Sequence, residues 1–165
     1  MKKPISVDEA FARVAARCAR QECCRWDIGN ALQRWGLPSS DIEKTLMRLE
    51  AEGYIDEQRY AKAFVHDKSH YDRWGPRKIQ AALQAKRIAN HDISTAINAL
   101  PQSLFRKNLS DLLATKARMI GVETQTELSE EETLLLRRKT RERLLRFALS
   151  RGYDMGMALA LIDEC

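Results

Sequence analysis

The chain of 165 residues carries 28 lysines and arginines against 23 aspartates and glutamates, a net charge of +5, and its mean hydropathy is −0.47. With 44% apolar residues it can build a core, yet no stretch approaches the ~18 uninterrupted apolar residues of a membrane helix. The N-terminus has the charges of a signal peptide without its apolar middle, because Asp8 and Glu9 follow at once, so the cytoplasm is the expected compartment. Cys18, Cys23, Cys24 and Cys165 have neither metal-site spacing nor the density of a disulfide scaffold.

Every periodic segment reads as helix, and none alternates like a strand. Ser6 and Glu9 form a capping box ahead of a first helix with Val7, Ala10, Phe11, Val14, Ala15 and Cys18 on one face. A second helix spans about 26–35 with Ile28, Ala31, Leu32 and Trp35 inward, and Gly36 closes it. Ser40 and Glu43 read as another capping box, opening a third helix that ends at Gly53. Asp56 caps a fourth, and Gly75-Pro76 opens a fifth, since proline suits the first helical position. Asn90 or His91 caps a sixth that Pro101 stops, and a seventh runs over about 104–120. The box Ser129-Glu130-Glu131-Glu132 opens an eighth that reaches Arg151-Gly152, and a short ninth covers about 154–163.

Nine helices in threes suggest repetition. Shifted by 51 residues, Ile28, Ala31 and Leu32 fall on Ile79, Ala82 and Leu83, and Leu37 falls on Ile88. The expected fold is all-α: tandem three-helix repeats over 1–55, 56–103 and 104–165, forming an elongated, curved array whose neighbours share buried surface.

The chemistry points to binding. There is no phosphate-cradling glycine loop, no nucleophile elbow and no H-E-x-x-H, so neither an enzyme nor a cofactor is expected. His66 and His70 share a helix face, but zinc needs three or four ligands and no further candidate has suitable spacing. Two basic clusters are more informative. Arg73, Arg77, Lys78, Lys86 and Arg87 bracket the fifth helix beside Trp74. Arg137, Arg138, Lys139, Arg141, Arg143 and Arg146 put six cations into ten residues of the eighth, opposed only by Glu142. Such clusters suit phosphates or an acidic protein surface. Trp26 and Trp74, near helix starts, could stack on bases, whereas Trp35, Tyr54, Tyr60, Phe64 and Ile79 read as core.

Residues 53–61, Gly-Tyr-Ile-Asp-Glu-Gln-Arg-Tyr-Ala, resemble the G-Y-L-D-D-x-R-F-A signature of the RecX family, regulators of the RecA recombinase. Gly75-Pro76-Arg77-Lys78-Ile79, then Leu83 and Lys86-Arg87-Ile88, is similar to that family's G-P-x-x-I…L-x-x-K-G-I segment, with Arg87 where glycine is usual. Arg151-Gly152-Tyr153 resembles its R-G-F. The resemblance implies a modular array of three-helix repeats that binds the RecA–single-stranded-DNA filament. It implies a block on filament extension and restraint of ATP hydrolysis, strand exchange and co-protease activity. The two basic clusters would be the contact surfaces, touching single-stranded DNA directly or through the filament, and a monomer is expected. A direct DNA binder with helix-turn-helix elements, or a scaffold for another acidic protein, stays open as an alternative.

Overall fold

The computed structural model describes residues 5–122 and 128–164, and among them the only regular elements are nine helices. In chain order these are α1 (Val7–Cys18), α2 (Arg25–Arg34), α3 (Ser39–Ala51), α4 (Glu57–His70), α5 (Pro76–Ala85), α6 (Asn90–Asn98), α7 (Gln102–Val122), α8 (Glu130–Ser150) and α9 (Met155–Asp163). None of them is long and apolar enough to cross a membrane. The helices form two compact units, Met1–His66 with Ala82–Ile97, and Asp67–Ala81 with Asn98–Cys165, so residues 56–97 contribute to both.

In the first unit the expected stripes meet in one cluster, in which Ala10, Val14, Ile28, Leu32, Leu37, Leu46, Leu49 and Ile55 are buried. Phe11, Trp35, Ile42 and Tyr54 close its edge. Phe11 meets Tyr54 edge-on with ring centres 6.0 Å apart, and the Arg48 guanidinium lies 3.7 Å above the Phe11 ring. Cys18, Cys23 and Cys24 are free thiols. Burial pushes the Cys24 thiol up to about 11, so it behaves as a small apolar group.

In the second unit α7, α8 and α9 pack on one another through Phe105, Leu109, Leu113, Leu144, Ala148, Ala158, Leu161 and Ile162, all buried. One buried polar side chain ties α7 to the end of α4: Asn108 Nδ2 donates to the Ser69 carbonyl at 2.8 Å. Asn108→Leu keeps the volume and removes the buried bond from Asn108 to that carbonyl. It should cost about 1–3 kcal/mol, read as a lower midpoint in urea.

Two caps follow expectation, and the Ser6–Glu9 box forms only in half. Ser6 Oγ accepts the Glu9 N–H at 3.2 Å, Asp56 Oδ1 the Arg59 N–H at 2.9 Å, and Ser129 and Glu132 bond reciprocally. The Glu9 carboxylate turns to Arg13, 2.7 Å away. Two expectations need correction. α3 starts two residues earlier than the Ser40–Glu43 box requires, with Pro38 at the N-cap and no side-chain cap. The Glu43 carboxylate is drawn off to the Arg25 guanidinium, whose other arm bonds Glu50 at 2.8 Å. Likewise Asn90 lies inside α6 rather than capping it, because its side-chain oxygen takes Gln84 Nε2 at 3.1 Å. His91 also lies inside α6, its carbonyl accepting the Ser94 hydroxyl at 3.0 Å.

One turn recurs. Gly36, Arg87 and Gly152 all have left-handed backbone, with φ of +85°, +59° and +92°. The residue after each, Leu37, Ile88 or Tyr153, is buried, and its N–H bonds back to Leu32, Leu83 or Ala148 at 3.2 Å. This is the helix stop in which the chain reverses hand for one residue and sends an apolar side chain back to the core. Arg87 therefore keeps the glycine conformation without being glycine, at a cost of roughly 1 kcal/mol. Its guanidinium lies 4.0 Å above the Trp26 ring, which offsets much of that cost. Arg87→Gly should leave stability unchanged within about 0.5 kcal/mol, whereas Arg87→Ala keeps the strain and loses the stacking, and should cost about 1 kcal/mol. Paired chemical melts of the two variants decide between these outcomes.

Candidate partner-binding surfaces

The start of α5 is built by residues far away in the chain. A helix leaves its first N–H groups without partners. Here Gly75 N–H donates to the Arg151 carbonyl at 2.7 Å and Arg77 N–H to the Gly152 carbonyl at 3.0 Å, while Pro76 has no N–H to satisfy. The approach is closer than any side chain permits. A Cβ on Gly152 would lie 2.5 Å from Lys78 N and 2.9 Å from Lys78 Cα, and one on Gly75 would meet the Gly152 carbonyl and Tyr153 N. The Tyr153 hydroxyl donates to the Arg73 carbonyl at 2.8 Å, and Arg151 Nη2 donates to the Asp72 carbonyl. The two glycine motifs singled out in the sequence, their glycines 77 residues apart, are thus halves of one joint.

This joint sets out a group of cations. Arg73 stands at φ +53° with its side chain exposed, and Arg77 is exposed on the first turn of α5. Lys78 Nζ sits 4.4 Å from the Trp74 ring centre and Lys68 Nζ 4.7 Å from it, so one indole carries two ammonium groups. Lys68 also pairs with Asp72 at 2.6 Å. The first turn of α5 holds no acidic residue, although the positive end of a helix dipole favours carboxylates there. Lys107 first, and Arg73 beside it, hold the Asp111 carboxyl below the usual carboxylate range.

The rest of the first basic cluster belongs to the other unit. Lys86 pairs with Asp27 at 2.6 Å, and Arg87 stacks on Trp26. Both border a groove of about 560 Å³ with Arg25, Gly29 and Glu57. Glu57 accepts the Arg25 N–H at 3.2 Å, capping α2 from 32 residues away, and burial raises its carboxyl above the usual range.

On α8, Arg137, Arg138, Lys139, Arg141 and Arg146 are exposed and Arg143 is half-buried. At about 100° per residue the six spread around the helix rather than sharing a face. Arg141 reaches Asp163 of α9 at 3.0 Å, and Arg138 lies 3.5 Å from Glu142. Of the residues expected in the core, Tyr60 and Ile79 are buried, while Tyr54 and Phe64 are half-buried. His66 and His70 lie on α4, and no group of three metal-ligating side chains occurs among the described residues.

Comparison with known proteins meets the same segments. Residues 56–97 match the RecX family's second three-helix domain. Regulatory protein RecX of Thermus thermophilus is 29% identical over 120 residues, covering 73% of this chain and 67% of that protein. Regulatory protein RecX of Mycobacterium ulcerans is 26% identical over 160 residues, covering 97% and 86%. The crystal structure of RecX from Lactobacillus salivarius superposes with a TM-score of 0.76 at 15% identity, over 96% of this chain and 95% of that one. The chain is similar to RecX regulatory proteins over most of its length, and its residues 56–97 carry that family's second three-helix domain. The family's fold of three-helix domains is the fold found here, and the joint between Gly75 and Gly152 ties two of the sequence segments that carried the resemblance.

The sequence alone left three parts of these surfaces unseen. Lys68 joins Trp74 from α4, Arg151 braces Asp72, and Glu57 caps α2. The only local hint was the placement of Lys68 four residues before Asp72, a helical pairing distance.

Proposed function

We propose that the chain regulates the RecA recombinase by binding the RecA–single-stranded-DNA filament, limiting filament extension, ATP hydrolysis, strand exchange and co-protease activity. The observation that supports this reading is the group Arg73, Arg77 and Lys78, held on a helix N-terminus that has no acidic residue of its own. Such a group attracts phosphate or carboxylate surfaces over a Debye length of about 8 Å at physiological salt. Arg137, Arg138, Lys139, Arg141, Arg143 and Arg146 form a second contact region, and Lys86 and Arg87 a third. The repeats 1–55, 56–103 and 104–165 are the modules that carry these regions, and several weak contacts on one polymer add up to useful affinity. The cytoplasm, where recombinase filaments form, is the proposed site of action.

The test is recombinase ATPase on single-stranded DNA with the protein added. Inhibition near one copy per few recombinase subunits is expected, and undiminished ATPase at stoichiometric amounts excludes the reading. Direct DNA binding is the second reading, favoured by the half-buried Trp74 with its two ammonium groups. It is distinguished by titrating bare DNA across salt: tight, steeply salt-dependent binding without recombinase supports it.

A further inference from the structure

The N-terminal half of α8 carries an outward stripe whose leucines and Glu131 the filament reading does not use. The half-buried positions of this segment are Thr133, Leu136 and Thr140, continuing into buried Leu144 and Ala148. On the opposite side stand Glu131, Leu134, Leu135 and Arg138, all exposed. Leu134 is 70% and Leu135 51% exposed, more than a solvent-facing helix needs to give to leucine. With Arg137 and Arg141 these residues line a shallow hollow of about 570 Å³.

The order of charge along this stripe identifies what covers it. Glu131 and Arg138 are seven residues apart, so they stand nearly in line, about 20° off, with Leu134 and Leu135 straddling the line between them. A two-fold axis through the midpoint of Leu134 and Leu135 sends residue 131 onto 138, 134 onto 135, and 130 onto 139. Within the exposed stripe the exchange pairs acid with base and leucine with leucine, Glu131 with Arg138 and Leu134 with Leu135, while Thr133 and Leu136 exchange on the half-buried side. The stripe is self-complementary in the antiparallel sense, which is the requirement for an isologous contact.

We infer that α8 is a self-association surface, on which a second copy of this chain docks antiparallel with four leucines at the centre and Glu131–Arg138 pairs on either side. This goes beyond the filament reading, does not rest on it, and departs from the monomer expected from the sequence. The contact is small, below about 1,200 Å², so association is weak and reversible. Because the contact uses Arg138 and flanks Arg141, self-association and binding of another anionic partner through α8 exclude each other.

The experiment is sedimentation equilibrium of the full chain from about 1 µM to about 1 mM, the range in which a contact of this size titrates. The wild type should pass from monomer to dimer. Glu131→Arg sets a cation opposite each Arg138, and Arg138→Glu sets a carboxylate opposite each Glu131, so each variant alone should associate at least tenfold more weakly. An equimolar mixture of the two variants should recover wild-type association, because the heterodimer regenerates both opposite-charge pairs, and the double variant should recover it with itself. Circular dichroism confirms that each variant keeps its helices. A wild-type chain that stays monomeric overturns the inference, including one whose α8 engages anionic vesicles or a foreign protein instead. So does a dimer indifferent to both substitutions, or a mixture no better than its components.

Discussion

Gly152→Ala is expected to lower the melting temperature of the second unit by roughly 6–12 °C, a loss of about 3 kcal/mol at about 2–4 °C per kcal/mol for a chain of this size. Two effects add. The backbone at φ +92° is one that alanine adopts at a cost of roughly 1–2 kcal/mol. The new methyl also lies 2.5 Å from Lys78 N and 2.9 Å from Lys78 Cα, against backbone that cannot swing aside, and overpacking of this kind costs about 1–3 kcal/mol more. Gly36→Ala separates the two terms. Gly36 has the same left-handed backbone at φ +85°, yet nothing lies within 4 Å of an added Cβ. It should lose only the conformational term, about 1–2 kcal/mol. Hydrogen exchange locates the damage: in Gly152→Ala the Arg77 amide, bonded to the Gly152 carbonyl in the wild type, should lose protection before the α7 core does. Equal shifts for the two alanine variants would show that the close approach carries no energy.

What could be read in the sequence and what could not divides along the range of the interaction. Helix starts at Ser6, Asp56 and Ser129 were legible because a cap is settled within four residues, between a short polar side chain and a backbone N–H. The stripe of Ile28, Ala31 and Leu32, and its copy 51 residues later, was legible because burial imposes a period on the chain. The two misplaced caps show where local rules yield. Glu43 has a stronger claimant in Arg25, and Asn90 has one in Gln84. Nothing near Arg25 reveals that Glu57 caps α2, nor does anything near Gly75 show that it needs Gly152. Arg87 is the instructive case. Judged by residue type alone it forbids the left-handed turn, yet the turn persists because the tertiary stack on Trp26 offsets the local strain. The basic clusters were legible as composition, but their division between units was not: charge has no period, and the chain order of Lys78 and Lys86 says nothing of which core each one sits on.

Reversing both charges at the start of α5, Arg77→Glu with Lys78→Glu, should raise the amount of protein needed for half-inhibition of recombinase ATPase by roughly 10- to 100-fold, about 1.4–2.8 kcal/mol of binding. The direction follows from replacing attraction to an anionic filament by repulsion at two positions presented together. The variant is informative because it should fold normally. A carboxylate in the first turn of a helix is favoured by the dipole, so α5 gains electrostatically what it loses in the Lys78 contact with Trp74. Inhibition should therefore fall while the melt stays within about 2 °C of wild type. The control with the same change in net charge is Lys44→Glu with Lys62→Glu, two exposed lysines of the first unit outside the three contact regions. If it weakens inhibition as much as the α5 pair, the effect belongs to overall charge and the α5 surface has no special part. If only the α5 pair weakens it, and the loss shrinks as salt is raised past the point where the Debye length falls to a few ångströms, the joint between Gly75 and Gly152 is what aims this protein at its partner.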